Sequence, residues 1–512
     1  ECLMRLYIPE NLDIDQIVYD YPPNFKKYKH KRDKLLYVIH LINALTLYNK
    51  DLMYDDFVSI SAKILQDKIS NYKEYLNYLI NVAKIIETDN QYFVGSKSKG
   101  FRLTEEYRCE VAIHSISDQT FHRKLKVERN NRAVSVNHLN YLTKWFDEKL
   151  EIDIDYVNNF LAEEYALKKD NKSLWQSKKF NNYGKVEVKY KRPIDQLNHA
   201  KISVEKISRK DYYLLHDDNV YRFHSNLTNM RSVIRNAVTY DGQKLISIDI
   251  KNSQPYLSTI LLSRSFWIEQ KNEPNTQKEL SIRFDDPKNR PFYSFNSIND
   301  NNYKIDGKID DRLSISHIKV HDTDSYIMLG DIDKTLMNNE FSQYINLVVS
   351  GTLYEFLEQQ FSLRLGETFS NRKEVKTAVF QVLFTDNRFL GQEDAKPKKM
   401  FKEMFPNVYE VFRQIKSKDK SLLPRLLQSI ESYLMINVIA KRISIEYPDA
   451  PIYTIHDSIS TTEEYVDVVE TIMTEELSKA IGHAPKLARE EWCKSNMAKH
   501  LETIKEKAKV VA

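Results

Sequence analysis

Two aspartates that each follow an apolar strand-like segment are the residues of this sequence best suited to phosphoryl chemistry. Asp249 ends the run of Leu245, Ile246 and Ile248 in LISIDIKNSQPYL, at residues 245–257. Asp457 follows the alternating residues of PIYTIHDSI, at residues 451–459. Two carboxylates at neighbouring strand ends can bind two Mg²⁺ ions, one near an attacking hydroxyl and one near a leaving pyrophosphate.

Neither aspartate is specific when it is considered alone. An Asp at the end of a strand commonly caps the helix that follows. In addition, His321-Asp322 follows an apolar stretch much like the one before His456-Asp457. We interpret His321-Asp322 as structural, and the context that distinguishes the two pairs is a segment between Asp249 and Asp457.

That segment is RKEVKTAVFQVLF, at residues 372–384, which has the spacing of a helix. Arg372, Lys376, Phe380 and Phe384 follow one another at intervals of four residues, so they lie on one broad helix face. Two cations followed by two aromatic rings suit a nucleoside triphosphate, with the cations on the phosphates and the rings beside the sugar and base. The alternative is a basic helix with two core phenylalanines.

The elements around these residues are mostly helical. The sequence is rich in Tyr (32) and Phe (23) and has only 10 Gly among 512 residues, which favours a helix-rich α+β protein. The three cysteines, at positions 2, 109 and 493, are too far apart to indicate a disulfide framework, so we predict a cytoplasmic location. No apolar run is long enough to cross a membrane, so we expect no membrane partner.

Residues 35–103 have the pattern of a compact module. Three apolar-periodic helices precede two short strand-like pieces that carry Lys97, Lys99 and Arg102. This order is typical of a winged helix, whose third helix enters a DNA groove while the wing contacts phosphates. A small helical scaffold without DNA contacts is the alternative.

Basic residues are clustered although the net charge is only +4. The clusters span residues 26–34 and 178–192, and a third consists of Lys396, Lys398 and Lys399. Such clusters neutralise phosphates, and the interleaved aromatic residues can stack on bases. A solvated surface would explain any one of them, but together with the strand-end aspartates they favour nucleic acid as a partner.

In order along the chain, Asp249, the 372–384 helix and His456-Asp457 resemble motifs A, B and C of the family A DNA polymerases. The single-subunit phage-type RNA polymerases share these motifs. Three further segments resemble the same enzymes in the same order: RFHSNLTN at 222–229, FKEMFPNVYEVFRQIK at 401–416 and LLQSIESYLMINV at 426–438. The resemblance covers residues 216–490, about half of the chain.

This resemblance implies a right-hand polymerase with palm, fingers and thumb, two Mg²⁺ ions, a DNA primer and template, and nucleoside triphosphates. The implied division is a winged-helix-like module at 1–110, a basic helical linker or thumb-like region at 111–215, and palm and fingers at 216–512 with an insertion at 264–340. The implied metal ligands are Asp249, Asp457 and the carbonyl of Ile250, with Lys376 as a proton donor to the leaving group. The implied nucleotide-binding residues are Arg372, Lys376, Phe380, Phe384, Gln254 and Tyr256, and the implied primer and template contacts are Arg222, Asn229, Gln428 and His456.

The function that the resemblance implies is a DNA-directed DNA polymerase that replicates a mobile element or virus. Two departures leave the sugar open. Ser458 makes motif C read HDS, as in the phage-type RNA polymerases, and Phe384 stands where both groups usually have Tyr. A bulky Gln254 or Tyr256 beside the sugar nevertheless favours dNTP. The alternatives are a single-subunit RNA polymerase and a DNA-binding replication or defence factor with an inactive polymerase fold.

Overall fold

A computed structural model provides the structure of this chain. It describes residues 5–26, 29–48, 53–54, 56–92, 98–180, 186–190, 192–262, 304–305, 308–309, 334–365, 372–386, 390, 395–416 and 419–511. Most of the predicted insertion at 264–340 lies outside these ranges, and so do His321-Asp322 and Lys97. The described part of the chain is a helix-rich α+β structure, as the sequence predicts.

The helices are numbered in chain order. They are α1 (Ile14–Asp20), α2 (Arg32–Tyr48), α3 (Ala62–Lys68), α4 (Tyr72–Asn77), α5 (Gln119–Ser135), α6 (Asn140–Thr143), α7 (Ile154–Lys169), α8 (Pro193–Ser208), α9 (Asn226–Asn229), α10 (Ser232–Arg235), α11 (Ser253–Ser258), α12 (Lys334–Val349), α13 (Leu353–Leu365), α14 (Arg372–Phe384), α15 (Lys396–Met404), α16 (Pro406–Ile415), α17 (Leu422–Ser432), α18 (Lys441–Glu446), α19 (Val466–Ile481) and α20 (Lys494–Val511). Two π-helical segments, Tyr78–Val82 and Tyr433–Ala440, extend α4 and join α17 to α18.

The strands are numbered in the same way. They are β1 (Arg5–Pro9), β2 (Met53–Tyr54), β3 (Phe57–Ser59), β4 (Ile86–Thr88), β5 (Gly100–Leu103), β6 (Val111–Ser115), β7 (Leu150–Ile152), β8 (Gln176–Phe180), β9 (Val186–Tyr190), β10 (Leu215–His216), β11 (Phe223–His224), β12 (Val238–Tyr240), β13 (Gln243–Ile250), β14 (Lys304–Ile305), β15 (Lys308–Ile309), β16 (Tyr453–Ile455), β17 (Ser458–Thr462) and β18 (Leu487–Glu491).

The N-terminal module has the element order α2, β3, α3, α4, β4, β5, and its sheet has the order β2-β3-β5-β4. Ser61 begins α3 by accepting a hydrogen bond from the backbone N–H of Ile64, because a helix start leaves that donor without an intrahelical partner. Arg102 stacks 4.3 Å from the ring centroid of Phe57 and forms a 3.2 Å ion pair with Glu87. Arg102 is therefore already paired, whereas Lys99 is exposed.

Two apolar cores divide the described chain. The first contains buried residues from Leu6 to Leu125, and the second contains buried residues from Leu139 to Leu501. Strand β7 joins the large sheet through β12, and α7 and α8 pack with the second core. The sequence instead groups these elements in a separate region at 111–215, and that division stays a prediction.

One antiparallel sheet organises the second core. Its strand order is β16-β17-β13-β12-β7, and β18 pairs with β13 on the edge opposite β17. Leu245, Ile248 and Ile250 of β13 are buried, as the apolar run predicts. The continuous helix formed by α17, the π-helical segment and α18 packs against α19 and α11, which places it next to the end of β13.

Within the described ranges, every helix is too short or too polar to span a lipid bilayer.

Candidate active site

The central sheet brings Asp249 and Asp457 together. Asp249 lies opposite Ser458 in the antiparallel pairing of β13 with β17. The backbone N–H of Ile250 donates to the carbonyl of Asp457 over 3.3 Å. The two aspartates therefore occupy adjoining strand ends, although 207 residues lie between them in the chain.

A two-residue turn presents Asp457. His456 and Asp457 connect β16 to β17, and Ser458 strengthens the turn by donating its hydroxyl to the carbonyl of Ile455 over 3.0 Å. His456 has a φ of 55°, in the left-handed region that a residue with a side chain adopts at a cost. The turn keeps His456 exposed on the same edge of the sheet as the Asp457 carboxylate.

The two carboxylates oppose each other's ionisation. Burial, and next the charge of Asp457, raise the pKa of Asp249 to about 7, although its side chain still reaches solvent. Burial also raises the pKa of Asp457, against the effects of the Ser253 hydroxyl and Lys376. Like charges at close range destabilise each other unless a cation lies between or beside them. The pair is thus poised to bind positive charge.

Helix α14 supplies a cation that acts on both aspartates. Lys376 is exposed, and its charge lowers the pKa of Asp249 and of Asp457. Its Nζ lies 5.4 Å from the ring centroid of Phe380, and the rings of Phe380 and Phe384 are 5.1 Å apart at an angle of 43°. Both rings are half-buried.

The bounds of α14, Arg372–Phe384, are those that the four-residue spacing predicts. Arg372 begins the helix, but its side chain lies outside the part of the chain that the structure describes. The exposed Lys376 and the half-buried rings nevertheless lie on one face of α14, as the same spacing predicts.

A third carboxylate, Glu431 on α17, lies beside the pair, and the sequence did not reveal it. Glu431 is 2% exposed, and its Oε1 accepts from Nε of Arg222 over 3.1 Å. Its Oε2 accepts from Nε2 of Gln254 over 2.6 Å. Burial raises the pKa of Glu431 to about 7, Arg222 lowers it, and Asp457 raises it further.

One sequence signal could have identified Glu431. It stands four residues after Leu427 and three before Leu434, both of which are buried, so helical spacing places it on the apolar face. A charged residue on such a face needs a partner. The stretch instead directed attention to Gln428, which is half-buried one turn earlier on the same helix.

Two of the predicted primer and template residues lie at this network. Arg222 binds Glu431, and its side chain remains 20% exposed. Gln428 lies one turn from Glu431 on α17. Asn229 ends α9, which packs against β16, and it donates its Nδ2 to the carbonyl of Ser225 over 3.3 Å.

The prediction for Tyr256 is wrong, because its side chain belongs to the core. Its ring is 1% exposed, and its hydroxyl donates to the carbonyl of His483 over 2.7 Å. Pro255 and Leu257, on either side of it, are buried as well. Gln254, which is half-buried and bound to Glu431, is therefore the candidate that remains for contact with a sugar.

The residues at the strand ends fit divalent metal binding. Among the described residues, no group of three or more His, Cys, Asp and Glu side chains has the geometry of a metal site. The two carboxylates would suit Mg²⁺, which prefers a few carboxylates together with water and phosphate oxygens, and its charge would offset the rise in their pKa values that burial causes. In addition, both polar atoms of the Asn252 carboxamide are buried without a hydrogen-bond partner in the described residues.

The chain is similar in structure to a solved protein, the POL domain of Pol1 from M. smegmatis in complex with DNA primer-template and dNTP. The two chains share 12% identity and superpose with a TM-score of 0.39, over 73% of this chain and 74% of that one. No protein-family model matches the sequence. No curated protein sequence matches it either. A superposition of this quality identifies no function, so the chemistry of the site rests on its own residues.

The site therefore has two adjacent carboxylates that repel each other and the exposed Lys376, whose charge acts on both. The buried Glu431 with its partners Arg222 and Gln254 lies beside them. The chemistry of these groups would suit a metal-complexed polyphosphate better than a neutral substrate, because a metal would relieve the repulsion and a cation such as Lys376 attracts phosphate oxygens. The arrangement is suited to transfer of a phosphoryl or nucleotidyl group.

Proposed function

We propose that this chain is a template-directed nucleotidyltransferase of the family A polymerase type, and that its substrates are a DNA primer, its template and dNTP. The observation that carries the proposal is the side-by-side position of Asp249 and Asp457 with Lys376 acting on both. We further propose that the sheet and its helices form a palm and that α14 belongs to the fingers.

In this proposal Asp249, Asp457 and the carbonyl of Ile250 bind two Mg²⁺ ions. The bound ions supply charge neutralisation and a lowered pKa for the primer 3′ hydroxyl. Lys376 binds the β- and γ-phosphate oxygens of the incoming nucleotide and, from Nζ, donates a proton to the departing pyrophosphate. Arg372 at the start of α14 adds a second cation, and Phe380 and Phe384 contact the base and sugar.

The primer terminus and template would lie on the side of the site formed by α9 and α17. Arg222 and Gln428 can contact them beside Glu431, and the exposed His456 can contact them at the Asp457 turn. Asn229 would contact them from the end of α9, which packs against β16. A role in the replication of a mobile element or virus agrees with a DNA-binding N-terminal module, and it remains part of the proposal.

A nucleotide incorporation assay separates this proposal from its alternatives. The purified chain is given Mg²⁺ and a template with or without a primer, and dNTP and rNTP are supplied separately. Primer-dependent use of dNTP supports the proposal. Primer-independent use of rNTP would establish the RNA polymerase alternative, which Ser458 of the HDS motif favours. Absence of incorporation under all conditions would establish an inactive polymerase fold.

We predict a preference for dNTP that depends on Gln254. The Nε2 group of Gln254 donates a hydrogen bond to Glu431, which restricts the Gln254 side chain to one orientation beside Asp249 and Asp457. A 2′ hydroxyl would meet this side chain at a cost of a few kcal/mol, on the order of a hundredfold in rate. Gln254→Ala should raise rNTP incorporation while dNTP incorporation changes little, as measured by kcat/KM for both sugars.

Tyr256→Phe is the matched control, because it removes only the hydrogen bond to the His483 carbonyl. It should leave the ratio of dNTP to rNTP use unchanged. A wild-type preference for rNTP, or a ratio that Gln254→Ala does not alter, would refute the steric role of Gln254.

We also propose that residues 32–103 form a winged-helix module that binds duplex DNA. The order helix, strand, two helices, two strands and the β3-β5-β4 pairing support this proposal. Helix α4 and the residues after it expose Lys73, Asn77, Asn81 and Lys84, which gives this element a polar outer face.

We predict that a fragment of residues 1–135, which contains the whole first core, binds duplex DNA weakly and with a steep dependence on salt. Lys73→Glu should lower the affinity measured by fluorescence anisotropy at low salt by about tenfold, since it reverses one phosphate-facing charge. Glu110→Gln serves as a control outside the α4 face. A folded fragment without binding at low salt would instead indicate a protein-interaction module.

A further inference from the structure

Two buried lysines lie at the C-terminal end of α14, where the sequence predicts a phosphate-binding basic cluster. Lys398 is 2% exposed and Lys416 is 3% exposed, so neither ammonium group can reach a phosphate at the surface. Lys398 therefore does not belong to a surface cluster with Lys396 and Lys399. A different role has to account for two buried cations.

Both ammonium groups bind the C-terminal end of α14 or the two residues that follow it. Lys416 donates from Nζ to the carbonyl of Val382 over 2.5 Å and to that of Thr385 over 3.1 Å. Lys398 donates to the carbonyl of Asp386 over 2.6 Å and to the hydroxyl of Thr385 over 3.2 Å. The last carbonyls of a helix lack intrahelical donors, and here Lys416 supplies one to Val382 while both lysines bind the residues directly after the helix.

The two lysines come from different helices. Lys398 lies in the first turn of α15, where a cation is unfavourable for that helix because its N-terminal end already carries positive partial charge. Lys416 follows the last residue of α16, where a cation is favourable for α16 as well. Both lysines are favourable for α14, whose C-terminal end carries negative partial charge. The position of Lys398 is thus explained by α14 and not by its own helix.

This arrangement costs stability. Burial lowers the pKa of Lys398 to about 8, and burial together with the charge of Lys398 lowers the pKa of Lys416 to about 7, while Asp386 opposes both effects. Two buried ammonium groups near each other lower the stability of the folded chain more than a glycine cap at the same helix end would. A function of α14 that requires a fixed C-terminal end would explain why this arrangement is present.

We propose that Lys398 and Lys416 form a fixed anchor that positions α14, and through it Lys376, for the incoming nucleoside triphosphate; this inference rests on the function proposed above. Lys376 lies six residues before Val382, or about 9 Å along the helix axis. Any rotation or shift of the anchored end is transmitted to Lys376 by the rigid helix. Lys398 and Lys416 are positioning residues, since neither reaches the reacting atoms.

The anchor is tested in the full chain with Lys416→Met and Lys398→Met, which keep an unbranched side chain one atom shorter and remove the ammonium group. Hydrogen exchange of the amides at 380–386 should become faster by about tenfold or more, because the carbonyls at this end lose their donors. KM for dATP opposite a template dT should rise on the order of tenfold to a hundredfold, with a smaller change in kcat. Affinity for the primer–template should stay within about twofold of wild type.

Lys420→Met is the matched control, because Lys420 is exposed and lies four residues after Lys416. Thr385→Val is a milder second variant that removes only the hydroxyl acceptor of Lys398, and it should change exchange and KM in the same direction if a Met variant does not fold. Unchanged exchange and KM would overturn the anchor, and so would equal losses of nucleotide and DNA affinity, which indicate general destabilisation. If wild type does not use dATP, the proposed function fails, and the exchange measurement alone then decides whether the two lysines anchor α14.

Discussion

Asp249→Ala and Asp457→Ala should each reduce nucleotide addition by at least about a thousandfold, because in the proposed mechanism either change removes a carboxylate that the two Mg²⁺ ions would share. The fold should survive. Burial, and next the charge of Asp457, raise the pKa of Asp249, so the loss of either carboxylate removes a like-charge repulsion at the strand ends. Single-turnover incorporation and the thermal midpoint, measured on the same preparations, check both parts of this prediction.

Asp241→Asn is the matched control for these variants. Asp241 lies in the turn between β12 and β13 with a φ of 51°, a conformation that Asn also adopts readily. Its partner is the exposed Lys149, and a surface ion pair of this kind contributes little to stability. Near wild-type incorporation by Asp249→Ala or Asp457→Ala would mean that the chemistry occurs elsewhere on the chain.

The second large effect is expected at Glu431. Glu431→Leu leaves the Arg222 guanidinium and the Gln254 carboxamide without their shared partner inside the protein. Removing one member of a buried pair should lower the free energy of unfolding by about 3 kcal/mol. Nucleotide incorporation should fall on the order of a hundredfold, because Arg222 and Gln254 lose their fixed positions beside the two aspartates. Denaturant unfolding and incorporation kinetics measure the two effects separately.

The pH dependence of stability tests the burial of the Glu431 carboxylate through a second variant, Glu431→Gln. Burial raises the pKa of Glu431 from 4.5 to about 7 in the folded chain. An acid with a raised folded pKa contributes most stability below its unfolded pKa, and that contribution is lost as the pH rises through about 7. Gln resembles the protonated acid, so Glu431→Gln should gain stability relative to wild type between pH 5 and pH 8. A constant difference over this range would contradict the assigned burial of the carboxylate.

The strand ends and the helix at 372–384 were predictable because their signals are local. An apolar run that ends in Asp indicates its own strand, and a four-residue spacing of cations and rings indicates its own helix, Arg372–Phe384. In the N-terminal module the three helices and the later strands β4 and β5 follow the predicted order, but the sequence did not predict the hairpin of β2 and β3 between α2 and α3.

The residues that the sequence missed or assigned to another role depend on partners far away in the chain. Glu431 is explained by Arg222, 209 positions earlier, and Tyr256 by the carbonyl of His483, 227 positions later. Lys398 is predicted to be a surface cation from its neighbours in the chain, but in the structure it is buried and donates to the carbonyl of Asp386 after α14. A charge pattern in one segment cannot reveal such partners, because the pairing arises only when distant helices pack.

Extension of a primer by a single templated nucleotide tests the central claim most directly. The purified chain is given Mg²⁺, all four dNTPs and four primer–templates, each with a single unpaired template base that differs among the four. The product should be longer by the nucleotide complementary to that base in each case, and Asp457→Ala should give no product on any of the four. Addition that ignores the template base, or wild type that extends none of the four while Mg²⁺ and dNTP are present, would contradict the claim that this site performs templated nucleotidyl transfer.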